Sequence, residues 1–249
     1  MIWIKQGGKR TLVLPVDLLI SSAPVAYPDA VAFMEHRVAQ IQVGAAGECL
    51  WLLEHPALYT AGTSAKARDY LGTRDIPVYP AGRGGQYTYH GPGQRIAYLM
   101  LDLTTRGRDV RGFVSSIERW VGQALGEFAL QPRTYPDRVG LWVDLPESRE
   151  VHDAQNPQNA RNSQRAEAKI AAIGVRLKRW VSLHGVAINV NPDLDHFGGI
   201  VPCGIADLGV TSLEDLGLPV AMTDLDVALI KHFQAAFDAP LTPAQSADI

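Results

Sequence analysis

Three apolar, strand-like segments follow one another in this chain with no helix among them. They are Val139-Gly-Leu-Trp-Val143, Ile170-Ala-Ala-Ile-Gly-Val-Arg-Leu177 and Val186-Ala-Ile-Asn-Val190. Helix-patterned stretches lie only before and after the series. A strict strand–helix–strand alternation would not produce that order, so the pattern predicts an α+β fold with a mixed, largely antiparallel sheet. Leu50-Trp-Leu-Leu-Glu54 and Ile96-Ala-Tyr-Leu-Met-Leu101 read as further strands. Apolar residues at helical spacing predict three helices. The first begins near Pro28 and carries Val31, Met34, Val38 and Ile41. The second carries Val114, Ile117, Val121, Leu125 and Phe128. The third follows Thr223 as N-cap and carries Leu225, Leu229, His232, Phe233 and Phe237. Each has one apolar stripe and is expected to lie against the sheet.

The chain's 249 residues suit one large domain or two small ones. Its 47% hydrophobic and 20% charged residues are enough for a core and exclude a disordered or fibrous chain. A net charge of −3 argues against nucleic-acid binding. No run reaches the ~20 apolar residues of a membrane span, and the first ten residues do not read as a signal peptide. Two cysteines, Cys49 and Cys203, are too few for a disulfide framework, so the cytoplasm is the expected compartment. From Glu147 to Glu167 the chain is almost entirely polar and reads as a long surface loop between two strands. The tail after Leu241 reads as weakly structured.

The densest cluster of chemistry is Gly82-Arg-Gly-Gly-Gln-Tyr-Thr-Tyr-His-Gly-Pro-Gly-Gln94. Its glycines let backbone approach a ligand and present N–H groups; the plainer reading is a tight hairpin. It is not a phosphate-binding P-loop, lacking a following Gly-Lys-Ser/Thr, nor a dinucleotide-binding turn opening a helix. Cys203, in Ile200-Val-Pro-Cys-Gly-Ile205, reads either as a small buried hydrophobe or as a turn-borne nucleophile. Cys49 enters an apolar strand and reads as core. Lys169 opens a strand directly after the polar segment. Placed beside Cys203 in an apolar pocket, it would favour the thiolate and accept a proton; otherwise it is a solvated strand end. His90 and His184 are alternative bases or structural residues. No spacing for a zinc site and no G-x-S-x-G nucleophile elbow occurs.

These residues resemble a known family. Arg83-Gly-Gly-Gln-Tyr-Thr-Tyr-His-Gly-Pro-Gly-Gln-Arg-Ile-Ala-Tyr98 is similar to the signature of the bacterial lipoyl(octanoyl) transferases, also called lipoate–protein ligase B. Lys169-Ile-Ala-Ala-Ile-Gly174, His184-Gly-Val-Ala-Ile-Asn-Val190 and Phe197 followed by Ile200-Val-Pro-Cys-Gly-Ile205 agree in order and spacing. Tyr27-Pro-Asp-Ala30 and His55-Pro-Ala-Leu-Tyr-Thr-Ala-Gly62 also match. The likeness runs from about Tyr27 to Leu216. The polar segment is longer than the family's, and Ala172 stands where many members have serine.

The resemblance implies a biotin/lipoate protein ligase-like fold, with residues 1–249 one catalytic domain, a polar insertion at 147–167 and a loose tail after 241. It implies transfer of an octanoyl group from octanoyl-acyl carrier protein to a specific lysine of lipoyl domains. Those domains belong to 2-oxo acid dehydrogenase complexes and the glycine cleavage H protein. Cys203 matches the acyl-thioester nucleophile, and Lys169 the lysine that lowers its pKa and shuttles protons. Arg83, Gly84, Gly85, Gln86, Tyr87, Thr88, Tyr89 and His90 match acyl-site segments. So do Ala172, Ile173, Gly174, Gly185, Val186 and Ala187, with His184 in a supporting place. No cofactor, metal, nucleic acid or membrane is implied. Arg83 and other arginines near the mouth are expected to steer an acidic carrier. The sulfur and the amine are expected to converge at the end of an apolar slot sized for a medium acyl tail. Two other readings remain: an ATP-dependent lipoate or biotin ligase, and a non-catalytic acyl-binding or lipoyl-domain-binding module.

Overall fold

A computed structural model of the chain describes residues 2–6, 9–72, 75–145, 167–201 and 209–244, with side chains described from Leu14 onward. Among these residues, nine strands form the main sheet. Its order is β14 (Leu241–Pro243), β3 (Val16–Ile20), β4 (Cys49–Leu53), β8 (Gln94–Met100), β12 (Val181–Asn189), β11 (Glu167–Lys178), β10 (Arg138–Asp144) and β9 (Arg133–Tyr135); β13 (Gly209–Val210) also pairs with β11. The β14–β3, β3–β4 and β11–β13 pairs are parallel and the others antiparallel. The sheet is mixed and largely antiparallel, as the succession of strands predicts. A second sheet holds β6 (Val78–Pro80), β5 (Leu58–Ala61) and β7 (Tyr87–His90). At the N-terminus β1 (Ile2–Gln6) pairs with β2 (Lys9–Val13).

The strands at the centre of the main sheet are buried on both faces, which is why they read as continuous apolar runs rather than as alternations. Every residue of β4, β8 and β12 is buried. On one face Leu50, Leu52, Leu99, Val186 and Ile188 pack against α2 (Val110–Gly126) and α3 (Met222–Phe237). On the other, Cys49, Trp51, Leu53, Ile96 and Tyr98 pack with Met34 and Val38 of α1 (Tyr27–Gln42). Cys49 is core, as its place in an apolar strand predicts. Trp120 and Phe233 meet edge to face at 5.5 Å, and Trp120 Nε1 donates to the Leu229 carbonyl at 2.7 Å, locking α2 to α3. A buried pair, Arg95 on β8 and Asp226 on α3 at 2.8 Å, ties that layer to the sheet.

Several boundaries differ from the sequence reading. The third helix starts at Met222, with Ala221 in the cap position and no side-chain cap bond, so Thr223 is inside its first turn. The second helix buries Phe113 and Trp120 but ends at Gly126, leaving Phe128 beyond it. The glycine-rich stretch is not a hairpin: β7 pairs with β5 in the small sheet, whereas β8 lies between β4 and β12 in the large one. Residues 147–166 of the polar segment lie outside the described residues, and Glu167 opens β11 opposite Asp144. Residues Leu241–Pro243, expected to begin a loose tail, pair in parallel with Val16–Leu18; residues 245–249 lie outside the description.

Candidate active site

A cavity of about 310 Å³ opens between the glycine-rich loop and strands β11 and β12. Arg83, Gly84, Gly85, Gln86, Tyr87, Thr88 and His90 line one side, and Ala172, Ile173, Gly174, His184, Gly185, Val186 and Ala187 another. Lys169, Trp142 and the turn Asp137-Arg138-Val139 line it as well, together with Tyr27, Ser64, Ile96 and Tyr98. Segments from the first helix to β12 therefore come together in one concave wall. Of the candidate acyl-site residues, Tyr89 is the exception. Its side chain points away from the cavity, packs on Tyr59 and Phe197, and has its hydroxyl 2.9 Å from His196 Nδ1. Cys203 lies outside the described residues. Its flanks do not: the Val201 N–H donates to the Asp69 carbonyl at 2.8 Å, and Gly209–Val210 pair with Ala168–Lys169.

The absence of side chains at Gly174 and Gly185 lets the wall close. The two face each other across β11 and β12. A Cβ on Gly185 would stand 2.1 Å from the Ala97 carbonyl oxygen, and one on Gly174 would stand 2.7 Å from Arg83 Cδ. Arg83 is thus laid flat over β11. Its Nη2 donates to the Thr60 carbonyl at 3.0 Å and hydroxyl at 2.6 Å, and its Nη1 to the Gly84 carbonyl at 3.0 Å. Only 8% of it is exposed. The expectation that Arg83 steers a partner from the surface is therefore corrected: its guanidinium is spent pinning the glycine loop to β5. Arg138, at the cavity's other wall, is held by Glu167 and stacks 3.8 Å over the Tyr135 ring.

Uncharged polar rings line the cavity at His90, His184 and Tyr98, and His55 stands behind Tyr98. His55 Nδ1 lies 2.6 Å from the Val25 carbonyl, which only accepts, so that nitrogen carries the proton. Its Nε2 therefore accepts from the Tyr98 hydroxyl at 2.7 Å. A second chain begins at the Thr211 carbonyl. It accepts from Asn189 Nδ2 at 2.9 Å, Asn189 Oδ1 accepts from Gln94 Nε2 at 2.8 Å, and Gln94 Oε1 accepts from His90 Nδ1 at 2.7 Å. This leaves His90 Nε2 as an acceptor. Burial, the largest cause in each case, lowers His55 to about 4, His90 to about 3 and His184 to about 4, and the Arg83 charge lowers the last two further. Burial also raises the Tyr27 and Tyr98 hydroxyls. His184 has φ of +63° within β12, a left-handed conformation costly for a residue with a Cβ. Its ring meets Tyr98 edge to face at 5.9 Å.

Lys169 is 8% exposed. Its Nζ donates to the Val139 carbonyl at 3.3 Å and lies 4.5 Å from the centre of the Trp142 ring. An apolar slot with a buried amine on its wall, neutral rings and exposed backbone suits an uncharged chain carrying a carbonyl at one end. Sequence reasoning did not single out Tyr27, Tyr98 or Trp142. For Tyr98 the signal was present: a hydroxyl inside an otherwise apolar strand needs a buried partner.

Comparison with known proteins shows the family. The profile of the lipoyl protein ligase A/B catalytic domain matches residues 26–234. The chain is 56% identical over 223 residues to an octanoyltransferase of Brucella melitensis, covering 90% of this chain and 81% of that one. It is 58% identical over 224 residues to an octanoyltransferase of Jannaschia sp., covering 90% and 100%. Among solved structures, the bipartite lipoate protein ligase of Thermoplasma acidophilum superposes with a TM-score of 0.62 at 16% identity, covering 94% of this chain and 89% of that one. The biotin protein ligase of Aquifex aeolicus in complex with biotin and ATP gives 0.54 at 12%, covering 89% and 70%. At such identities the last two show a shared fold. The chain belongs to the lipoyl protein ligase A/B catalytic domain family and, within it, to the octanoyltransferases, a family of acyltransferases.

Proposed function

We propose that the protein transfers an octanoyl group from octanoyl-acyl carrier protein, through a thioester on Cys203, to a specific lysine of lipoyl domains. The acceptors in this reading are those of 2-oxo acid dehydrogenase complexes and the glycine cleavage H protein, and the reaction runs in the cytoplasm. The observation that carries it is the seating of Lys169, a buried amine, on the wall of an apolar cavity next to the strand that ends the Cys203 segment.

In the first step the Cys203 thiolate attacks the donor's thioester carbonyl. A new S–C bond forms, the donor's S–C bond breaks, and the carrier thiolate takes a proton from the Lys169 ammonium. In the second, the neutral amine of the acceptor lysine attacks the acyl-enzyme, an N–C bond forms, and Lys169, now neutral, takes the proton that the nitrogen gives up. The Cys203 S–C bond breaks and the thiolate returns. Burial of the neutral histidines supports the acyl site, because a charged ring beside an alkyl chain would cost several kcal/mol. Backbone N–H groups are the expected stabilisers of the transient oxyanion.

The test offers the purified chain either octanoyl-acyl carrier protein or free octanoate with ATP, with a lipoyl domain as acceptor. Octanoylation with the carrier donor alone and ping-pong kinetics are expected. Turnover only with octanoate and ATP would make the protein a ligase, and turnover with neither would leave a binding module.

A further inference from the structure

We propose that Trp142 is a positioning residue for Lys169, its indole face forming, with the bulge at Gly140, a seat that fixes the amine at the cavity wall. This deepens the function proposed above and rests on its assignment of Lys169.

The seat follows from strand register. Trp142 on β10 and Lys169 on β11 are direct cross-strand partners, so their side chains leave the sheet on the same face. The register shifts between Leu141 and Trp142. The bulge requires Gly140, whose φ is +123°; a Cβ there would stand 2.7 Å from the Ala171 carbonyl oxygen and 3.4 Å from Lys169 Cε. The bulge sets the Val139 carbonyl 3.3 Å from Lys169 Nζ, while the indole lies beside the same atom at 4.5 Å. Two contacts from one strand thus hold a flexible four-carbon stem.

The indole is itself fixed. It is 2% exposed, and its Nε1 donates to the Arg138 carbonyl at 3.2 Å. The Arg138 guanidinium lies 4.7 Å from the same ring and is held by Glu167, which also accepts from Tyr135. The charged and titratable groups around the seat are Asp137 and Arg138 from the turn, Arg133 and Tyr135 from β9, Asp144 from β10, Glu167 from β11, Arg83 across the cavity and, from α2, Glu118, which accepts from the Gly140 N–H at 3.3 Å. Glu167 and Asp144 are engaged by Arg138 and Arg133. A ring face attracts a cation positioned over it. Trp142 therefore holds the Lys169 amine in place at the cavity wall, where the first step of transfer needs it.

The test uses the full chain with Trp142→Leu, Trp142→Phe, Lys169→Ala and the Trp142→Leu/Lys169→Ala double variant, each checked for folding by near-ultraviolet circular dichroism. Two readouts are followed. The pH profile of Cys203 alkylation by iodoacetamide reports the thiolate; Cys49 is buried. Acetylation of Lys169 by a succinimidyl ester at neutral pH, read by peptide mass spectrometry, reports the amine. Trp142→Leu is expected to move the alkylation profile up by as much as about one pH unit and to raise Lys169 acetylation up to about tenfold. Trp142→Phe, which keeps a ring face, is expected to recover most of both. The profile shift should vanish in the Lys169→Ala background. Unchanged acetylation in Trp142→Leu, or a profile shift that persists without Lys169, would overturn the proposal. A Lys169→Ala profile like the wild type, with acetylation still raised in Trp142→Leu, would overturn the role given to Lys169 in transfer and uphold the seat.

Discussion

Lowering the pH from 7.5 to 5.0 should strip this protein of roughly half its stability, through three histidines. In the folded chain His55 and His184 protonate only near pH 4 and His90 near 3, because burial disfavours the imidazolium. In the unfolded chain each protonates near 6.5. Between these values the unfolded state binds more protons, so stability is fully present above about pH 6.5 and drains away as the pH falls towards the folded values. At pH 5.0 each site contributes a loss of about 2 kcal/mol, and the three together about 6 kcal/mol. A domain of this kind is stable by only about 5–15 kcal/mol. Urea unfolding followed by tryptophan fluorescence at pH 7.5, 6.5, 5.8 and 5.0 measures the loss. His55→Gln, His90→Gln and His184→Gln should each remove about a third of the pH dependence, whatever they do to absolute stability. Stability at pH 5.0 within about 1 kcal/mol of that at 7.5 would refute the reasoning. So would a slope undiminished in all three variants.

Other perturbations test the scaffold around the cavity. Arg83→Lys keeps the charge but cannot reproduce three donations to Thr60 and Gly84, and should cost about 2 kcal/mol in denaturant unfolding together with lower apparent donor affinity. Gly185→Ala should cost about 1–3 kcal/mol and most of the activity, since its methyl group meets the Ala97 carbonyl at 2.1 Å; wild-type activity would mean that the wall tolerates separation of β8 and β12. Asp226→Asn should cost about 3 kcal/mol by leaving Arg95 buried without its counter-charge. The Arg95→Met/Asp226→Leu double variant should recover most of that loss in the same unfolding assay.

The parts of the fold that the sequence discloses are those set by continuous patterns. The apolar runs in β4, β8 and β12 mark strands buried along their whole length, and the stripe from Val31 to Ile41 and the run that opens β11 mark one continuous buried or half-buried side. Short strands escaped because their signal is too brief: β5 and β7 are four residues each, and β13 is two. The β11–β12 hairpin escaped for another reason. Arg179 and Trp180 both adopt positive φ, of 49° and 69°, in a turn where glycine or asparagine is the usual signal. At the candidate site, separate motifs indicated which segments meet, but not which side chains turn inwards. Tyr89 and His90 are adjacent, and only the second points into the cavity. Trp142 does not stand out within its strand-like run, because its contact with Lys169 is set by register across two strands, and a bulge at Gly140 shifts that register.

The most direct measurement of the central claim is the intact mass of the protein after brief incubation with octanoyl-acyl carrier protein and no acceptor. The account predicts a gain of one octanoyl group per chain, mapped to Cys203 by peptide sequencing, sensitive to hydroxylamine, discharged by a lipoyl domain and absent in Cys203→Ser. An unmodified mass in the presence of active turnover, or an adduct at another residue, would contradict it.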